Sequence, residues 1–138
     1  RSMERMEVSI GFIQQGETYL LQLRPNVSTI GAAGLIGAFG GRIEPGESPV
    51  EAVCRELGEE TSLKPSTEDF SYLGTLEVTA YRQQQPLHIT ANVFRMAAEP
   101  TEKVVAFDGE VVSMTRQQVD EHLDQLTPAT KAAFEQFL

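Results

Sequence analysis

The stretches Glu7 to Gln14 and Thr18 to Arg24 carry strand patterning and predict two strands joined at Gln15-Gly16-Glu17 as a hairpin. A glycine-punctuated segment follows, with five glycines from Gly31 to Gly41, and its intervening apolar residues predict a buried strand reaching Gly40-Gly41. Phe70 to Arg82 and Pro86 to Ala97 read as two long strands joined by Gln83-Gln84-Gln85, and Glu110 to Met114 as a short one. Three helices have start signals. Ser48-Pro49-Val50-Glu51 is a capping box with proline at the first helical position, so a helix should begin at Pro49. Thr115 with Gln118, and Thr127 followed by Pro128, open the other two. Strands interleaved with helices predict one α/β domain with a mixed sheet over residues 1–138; Arg1-Ser2-Met3, which reads as a remnant of expression, is left aside.

On the first helix, Val50, Val53, Cys54 and Leu57 fall within about 60° of one direction and form the expected core stripe, with Cys54 a small buried hydrophobe. Glu56, Glu59 and Glu60 fall together alongside it, at spacings that put Cβ atoms ~5–6 Å apart. Six glutamates lie between Gly41 and Leu63. Like charges at these spacings repel, and Arg55 neutralises only part of the patch. A solvated acidic face is the plain reading. A hard divalent cation, which takes carboxylate oxygens, water and substrate phosphates, is the alternative.

Composition narrows the choice. At 138 residues the chain is long enough for one core, and a net charge of −9 argues against nucleic-acid backbone binding. Cys54 is the only cysteine, which predicts a reduced, cytoplasmic setting, and nothing reads as a signal peptide or membrane span. The segment Gly41 to Ser48, GRIEPGES, has the spacing of a phosphate-binding P-loop, but Glu47 stands where that loop needs lysine. Glycines beside a carboxylate-bearing helix remain, an arrangement suited to a cation.

The run from Gly41 through Glu47 to Arg55-Glu56-Leu57-Gly58-Glu59-Glu60-Thr61-Ser62-Leu63 resembles the Nudix box of the Nudix hydrolases, G-x5-E-x7-R-E-U-x-E-E-x-G-U with U aliphatic; eight of nine fixed positions agree. The resemblance implies a Nudix-type α/β/α sandwich with a mixed β-sheet. It implies Mg²⁺, with Mn²⁺ as a substitute, held by Glu56, Glu59, Glu60 and the carbonyl of Gly40. Glu59 becomes the residue closest to the activated water, while Glu47 and Arg55 orient the patch. The implied reaction is hydrolysis of a nucleotide at a pyrophosphate bond by water attacking phosphorus, releasing a nucleoside monophosphate and a second phosphorylated fragment. The partner is a small-molecule nucleotide, with no nucleic acid or membrane, and the chain a monomer or homodimer. A carboxylate outside the box often assists, and Glu102, Asp108 and Glu110 are the candidates.

Departures from the pattern set further expectations. Ser62 replaces the last glycine and costs about 1 kcal/mol if the backbone there is left-handed; Gly58 inside the helix adds up to ~1 kcal/mol. Upstream the chain has Ile36 and Phe39-Gly40-Gly41 where many members carry tryptophan and proline-glycine-glycine. Tyr81, His88 and Phe94 read as packing or exposed positions, with contact to a base or sugar the alternative, and His122 as solvated. HITANVFRMAAEP resembles a strand of the MutT-type enzymes, yet Ala129 and Thr130 fall where that branch reads oxidised guanine with an asparagine. A silent Nudix-like domain that senses a nucleotide, and an isomerase on the same fold, are the alternatives; a missing box glutamate would favour the first, and none is missing.

Overall fold

A computed structural model describes residues 3–25 and 34–138. Its strands are β1 (Glu4–Gln15), β2 (Thr18–Leu23), β3 (Ile36–Gly37), β4 (Phe39–Arg42), β5 (Ser71–Arg82), β6 (Gln85–Ala97) and β7 (Glu110–Thr115), and its helices α1 (Pro49–Glu60), α2 (Arg116–Glu121) and α3 (Pro128–Phe137). All seven strands belong to one mixed sheet with the path β3-β2-β1-β6-β5, on which β4 pairs with β1 and β7 with β2. The parallel pair is β1 with β6, running from Glu4↔Leu87 to Gln14↔Ala97. That pairing, with the Glu4–Arg82 ion pair, extends β1 three residues before the expected Glu7.

Side chains alternate across a strand, so neighbouring residues reach opposite faces. Phe12 and Ile13, Leu20 and Leu21, and Val93 and Phe94 divide in this way between two apolar clusters. Val8, Ile10 and Phe12 pack with Val119 of α2 and Phe134 of α3, whereas Ile13, Phe39 and Phe94 pack with Val53 and Leu57 of α1. The sheet is thus covered by helices on both faces, the expected sandwich. Phe134 anchors one face, its ring edge-on to Phe12 and Tyr19 with centroids 5.1 Å away in each case. Burial of such a ring contributes roughly 2–3 kcal/mol. Among the described residues no helix is long and apolar enough to cross a membrane.

The glycine-rich segment differs from expectation, and its start at Gly31 lies outside the described residues. The rest forms two short strands separated by Ala38, whose N–H leaves the sheet for Thr130 Oγ1 at 3.0 Å. Gly40 and Gly41 lie within β4, opposite Ile10 and Ser9. Gly40 has φ +152°, and a Cβ there would stand 2.1 Å from Ser9 O, so only glycine fits.

The β5–β6 hairpin closes through two residues, with Arg82 opposite Gln85, so Gln85 belongs to β6. Gln83 and Gln84 both take the left-handed region, at φ 52° and 66°, which L side chains adopt at a cost. Gln84→Gly should therefore stabilise the fold by about 1 kcal/mol. Chemical denaturation checks this, and a lower midpoint would show that the glutamine side chain has a role of its own.

Candidate active site

The capping box forms at the start of α1: Ser48 Oγ accepts from Glu51 N–H, and Glu51 Oε1 accepts from Ser48 N–H at 2.8 Å. Ser9 Oγ, buried in β1, donates to Pro49 O at 2.7 Å and ties the helix start to the sheet. A Cβ at Gly11 would meet Val53 at 2.9 Å, so this glycine lets α1 lie close against β1. Of the expected stripe, Val53 and Leu57 are fully buried and Val50 packs against them. Ala52 is fully buried too, which the wheel missed. Cys54 is a correction: it is half-buried, outside both clusters, and its thiol donates to Pro65 O at 3.3 Å. Partial burial pushes that thiol's pKa up.

Arg55 organises the carboxylates. Its guanidinium holds Glu47 in a paired contact, Nε to Oε2 at 2.7 Å and Nη2 to Oε1 at 2.9 Å. Nη1 donates to Glu56 and Glu59, each at 2.9 Å, and Nη2 also reaches Arg42 O at 3.1 Å. Arg55 and the Glu44 amide hold the Glu47 carboxyl down to about 2. The same glutamates, Glu47 first, keep Arg55 charged at any pH the fold survives.

Glu60 has a different setting. Its Oε1 accepts from Gly40 N–H at 3.0 Å, joining the end of α1 to β4. Burial, a hydrogen bond shared with Glu56 and the charge of that carboxylate push Glu60 up to about 8, against the pull of Gly40 N–H and Arg24. Gly41 makes room for Glu56, since a Cβ there would stand 2.6 Å from its carboxyl carbon. Glu59 is the outlying member, its side chain 56% exposed against 17% for Glu56.

Among the described residues no three carboxylates converge on one point as they stand. Arg55 draws Glu56 and Glu59 to itself, while Glu60 is bonded to Gly40. The donor chemistry nevertheless fits a hard divalent cation. Every side-chain donor is a carboxylate oxygen, with Glu56 and Glu59 on Arg55 and Glu60 on the Gly40 N–H at the end of the same helix.

Beyond the helix, Ser62 does not take the left-handed backbone, and Thr61 before it is extended, so the cost that form carries does not arise. Gly58 meets nothing within 4 Å where a Cβ would stand. Glu102, Asp108 and Glu110 are all exposed. The backbone of Asp108 is held, with Gln22 Nε2 donating to its carbonyl at 2.9 Å and the preceding Phe107 N–H donating to Glu60 O at 2.8 Å.

A cleft of about 500 Å³ reaches from Gly40, Gly41 and Arg42 across β1 to the start of α3. Val8, Ile10, Leu87 and Ile89 make its walls apolar; Ala129 and Thr130 stand at one end and Tyr81 at another. Thr130 Oγ1 already accepts from Ala38 N–H at 3.0 Å and from the Thr127 hydroxyl at 2.7 Å. Tyr81 is 67% exposed. Phe94 instead lies in the core beside α1, packed on Phe70 and covered by the exposed ring of Tyr72, and His88 Nε2 pairs with Glu77 at 2.6 Å. His122 closes α2, its Nδ1 hydrogen-bonded to Gln118 O at 2.7 Å. The cleft was not visible in the sequence because four separate strands and a helix build it.

Residues 3–137 match the family model described as NUDIX domain. No curated protein matches the chain. Among solved structures, the MutT protein from Methanosarcina mazei Go1 aligns at TM-score 0.74 and 20% identity over 98% of this chain and 94% of that one. The MutT NUDIX hydrolase from Burkholderia pseudomallei aligns at TM-score 0.72 and 23% identity, covering 96% and 98%. A bifunctional NMN adenylyltransferase/ADP ribose pyrophosphatase from Francisella tularensis, complexed with AMP and Mn ion, aligns at TM-score 0.69 and 15% identity over 94% of this chain and 39% of that longer one.

Proposed function

The chain belongs to the NUDIX domain family, and from that premise we propose that it is a Mg²⁺-dependent pyrophosphohydrolase of small nucleotides. The observation carrying this is the set of glutamates on α1, Glu56 and Glu59 on Arg55 and Glu60 on the Gly40 N–H, beside the glycines that line one end of an apolar cleft. Glu56, Glu59 and Glu60 are the side chains to hold the cation, with Gly40 beside them; that the bifunctional Francisella protein is complexed with Mn ion is in keeping with a divalent metal. When bound, the cation supplies charge against the developing negative charge on the phosphates and acidifies water. Glu59, the exposed member, takes the proton of the water that attacks phosphorus. Arg55 keeps Glu47 and Arg42 O in place as its other carboxylates turn away. The cleft holds the base and sugar, leaving the diphosphate over Gly40 and Gly41. Asp108 is favoured as the carboxylate outside the box, since of the three it directly follows Phe107, whose N–H donates to Glu60 O. The products are a nucleoside monophosphate and a second phosphorylated fragment.

Mg²⁺ binding only to the folded patch at ten times its dissociation constant should stabilise it by about 1.4 kcal/mol and raise melting a few degrees. No shift with Mg²⁺ or Mn²⁺ up to tens of millimolar would remove the metal site.

Base selectivity follows from Ala129 and Thr130. An alanine offers no hydrogen bond, and the Thr130 hydroxyl is engaged within the fold, so neither reproduces the donor and acceptor pair of an asparagine amide. Strong discrimination needs such a pair, because an analogue lacking the partner leaves buried groups unsatisfied. Competition between 8-oxo-dGTP and dGTP should give a preference within about tenfold, some 1.4 kcal/mol. A thousandfold preference for the oxidised base would show that another residue of the cleft reads the base edge.

A further inference from the structure

Ser62 stands where the box pattern has its last glycine, and the structure uses its side chain. Its N–H donates to Val105 O at 2.9 Å, and its Oγ accepts from Val105 N–H at 2.9 Å. One residue earlier Thr61 pairs antiparallel with Ala106, and before that Glu60 O accepts from Phe107 N–H at 2.8 Å. Residues 105–107 are thus laid along the last residue of α1 and the two beyond it. Val104 and Ala106 pack partly against the core beside α1, whereas Val105 and Phe107 are 44% and 62% exposed. Apolar burial therefore holds the segment at alternate residues only, and the hydrogen bonds set its register. Two of these hydrogen bonds, the pair that flanks Thr61 and Ala106, run through the backbone and survive any side chain. The third exists only because residue 62 carries a hydroxyl, and a glycine there would leave Val105 N–H to solvent.

The segment leads directly into Asp108. Gln22 Nε2 fixes the Asp108 carbonyl from the other side at 2.9 Å, and Gly109 follows at φ +70°, where a Cβ would stand 2.3 Å from Leu23 O. Asp108 is therefore clamped between the end of β2 and the end of α1, and Ser62 is the side-chain part of the α1 clamp. We propose that Ser62 is a positioning residue, which fastens the 105–108 segment to the end of the carboxylate-bearing helix and so holds Asp108 and Glu60 in fixed relation. The catalytic consequence rests on the pyrophosphohydrolase reading; the clamp itself does not.

Ser62→Ala, Ser62→Gly and Ser62→Thr would be compared with the parent chain by amide exchange at Val105 and Phe107, by Mn²⁺ affinity from the electron paramagnetic resonance of free Mn²⁺, and by turnover of a diphosphate-linked nucleotide. Loss of the hydroxyl should speed exchange at both amides about tenfold, the factor that ~1.4 kcal/mol of opening free energy sets. Mn²⁺ binding should weaken several-fold and kcat fall with KM little changed, because the clamp orders charged groups and not the cleft. Ser62→Thr keeps the acceptor and should stay within about twofold on every readout. Wild-type exchange in Ser62→Ala, or faster exchange with Mn²⁺ affinity and kcat unchanged, would overturn the proposal, the second outcome by making the clamp structural alone. A parent chain that cleaves nothing would count against the proposed function, and the exchange and Mn²⁺ results would then decide the clamp by themselves.

Discussion

Replacing Glu59 by glutamine should lower turnover by roughly 100-fold or more while the fold stays intact. Glutamine keeps the shape and removes the charge, and at a side chain 56% exposed and ion-paired to Arg55 the loss to folding is small. Glu51, three residues from Ser48 in the capping box, is the control. Glutamine serves that box as well as glutamate does, so Glu51→Gln should be nearly silent in both turnover and melting. Equal losses at the two positions would mean that the reacting groups lie elsewhere.

The second large effect is expected at Arg55. Lysine carries the charge but lacks the planar fork that grips Glu47 through two nitrogens and reaches Glu56 and Glu59 through a third. Arg55→Lys should reduce turnover on the order of tenfold, and Arg55→Ala by more, because the carboxylates left behind repel one another. The deficit in stability has a pH signature. Glu47, held at about 2 against an ordinary 4.5, favours folding above pH 4.5, and this contribution is lost as the pH falls through 2. Melting curves of Arg55→Ala and the parent chain should differ most near neutrality and converge in acid. A difference that does not change with pH would show that Arg55 acts by packing and not by charge.

What the sequence made legible was local. The start of α1 is set by residues within one turn, and Ser48, Pro49 and Glu51 formed the motif their spacing implies. The same holds for Thr115 with Gln118 and for Thr127 before Pro128. The box glutamates fell on one helix with Arg55 among them, as 3.6 residues per turn requires. Contacts across long separations were not legible. Nothing in β1 announces that it pairs in parallel with a strand some eighty residues on, or that Ala38 would leave the sheet for Thr130. Ser62 looked like a lapse in a pattern because its partner, Val105, lies in a loop with no periodicity. Cys54 was misplaced for a related reason. The wheel gives the direction of a side chain but not what lies opposite, and there the chain returns at Pro65 with a carbonyl instead of a closed apolar wall.

The most direct measurement is cleavage of a panel of diphosphate-linked nucleotides in heavy-oxygen water, with and without Mg²⁺, read by mass spectrometry of the products. The expected result is a nucleoside monophosphate and a second phosphorylated fragment, one of them carrying heavy oxygen on phosphorus, formed with Mg²⁺ and abolished by chelation. Folded protein that leaves every member of the panel intact with both Mg²⁺ and Mn²⁺ would contradict it.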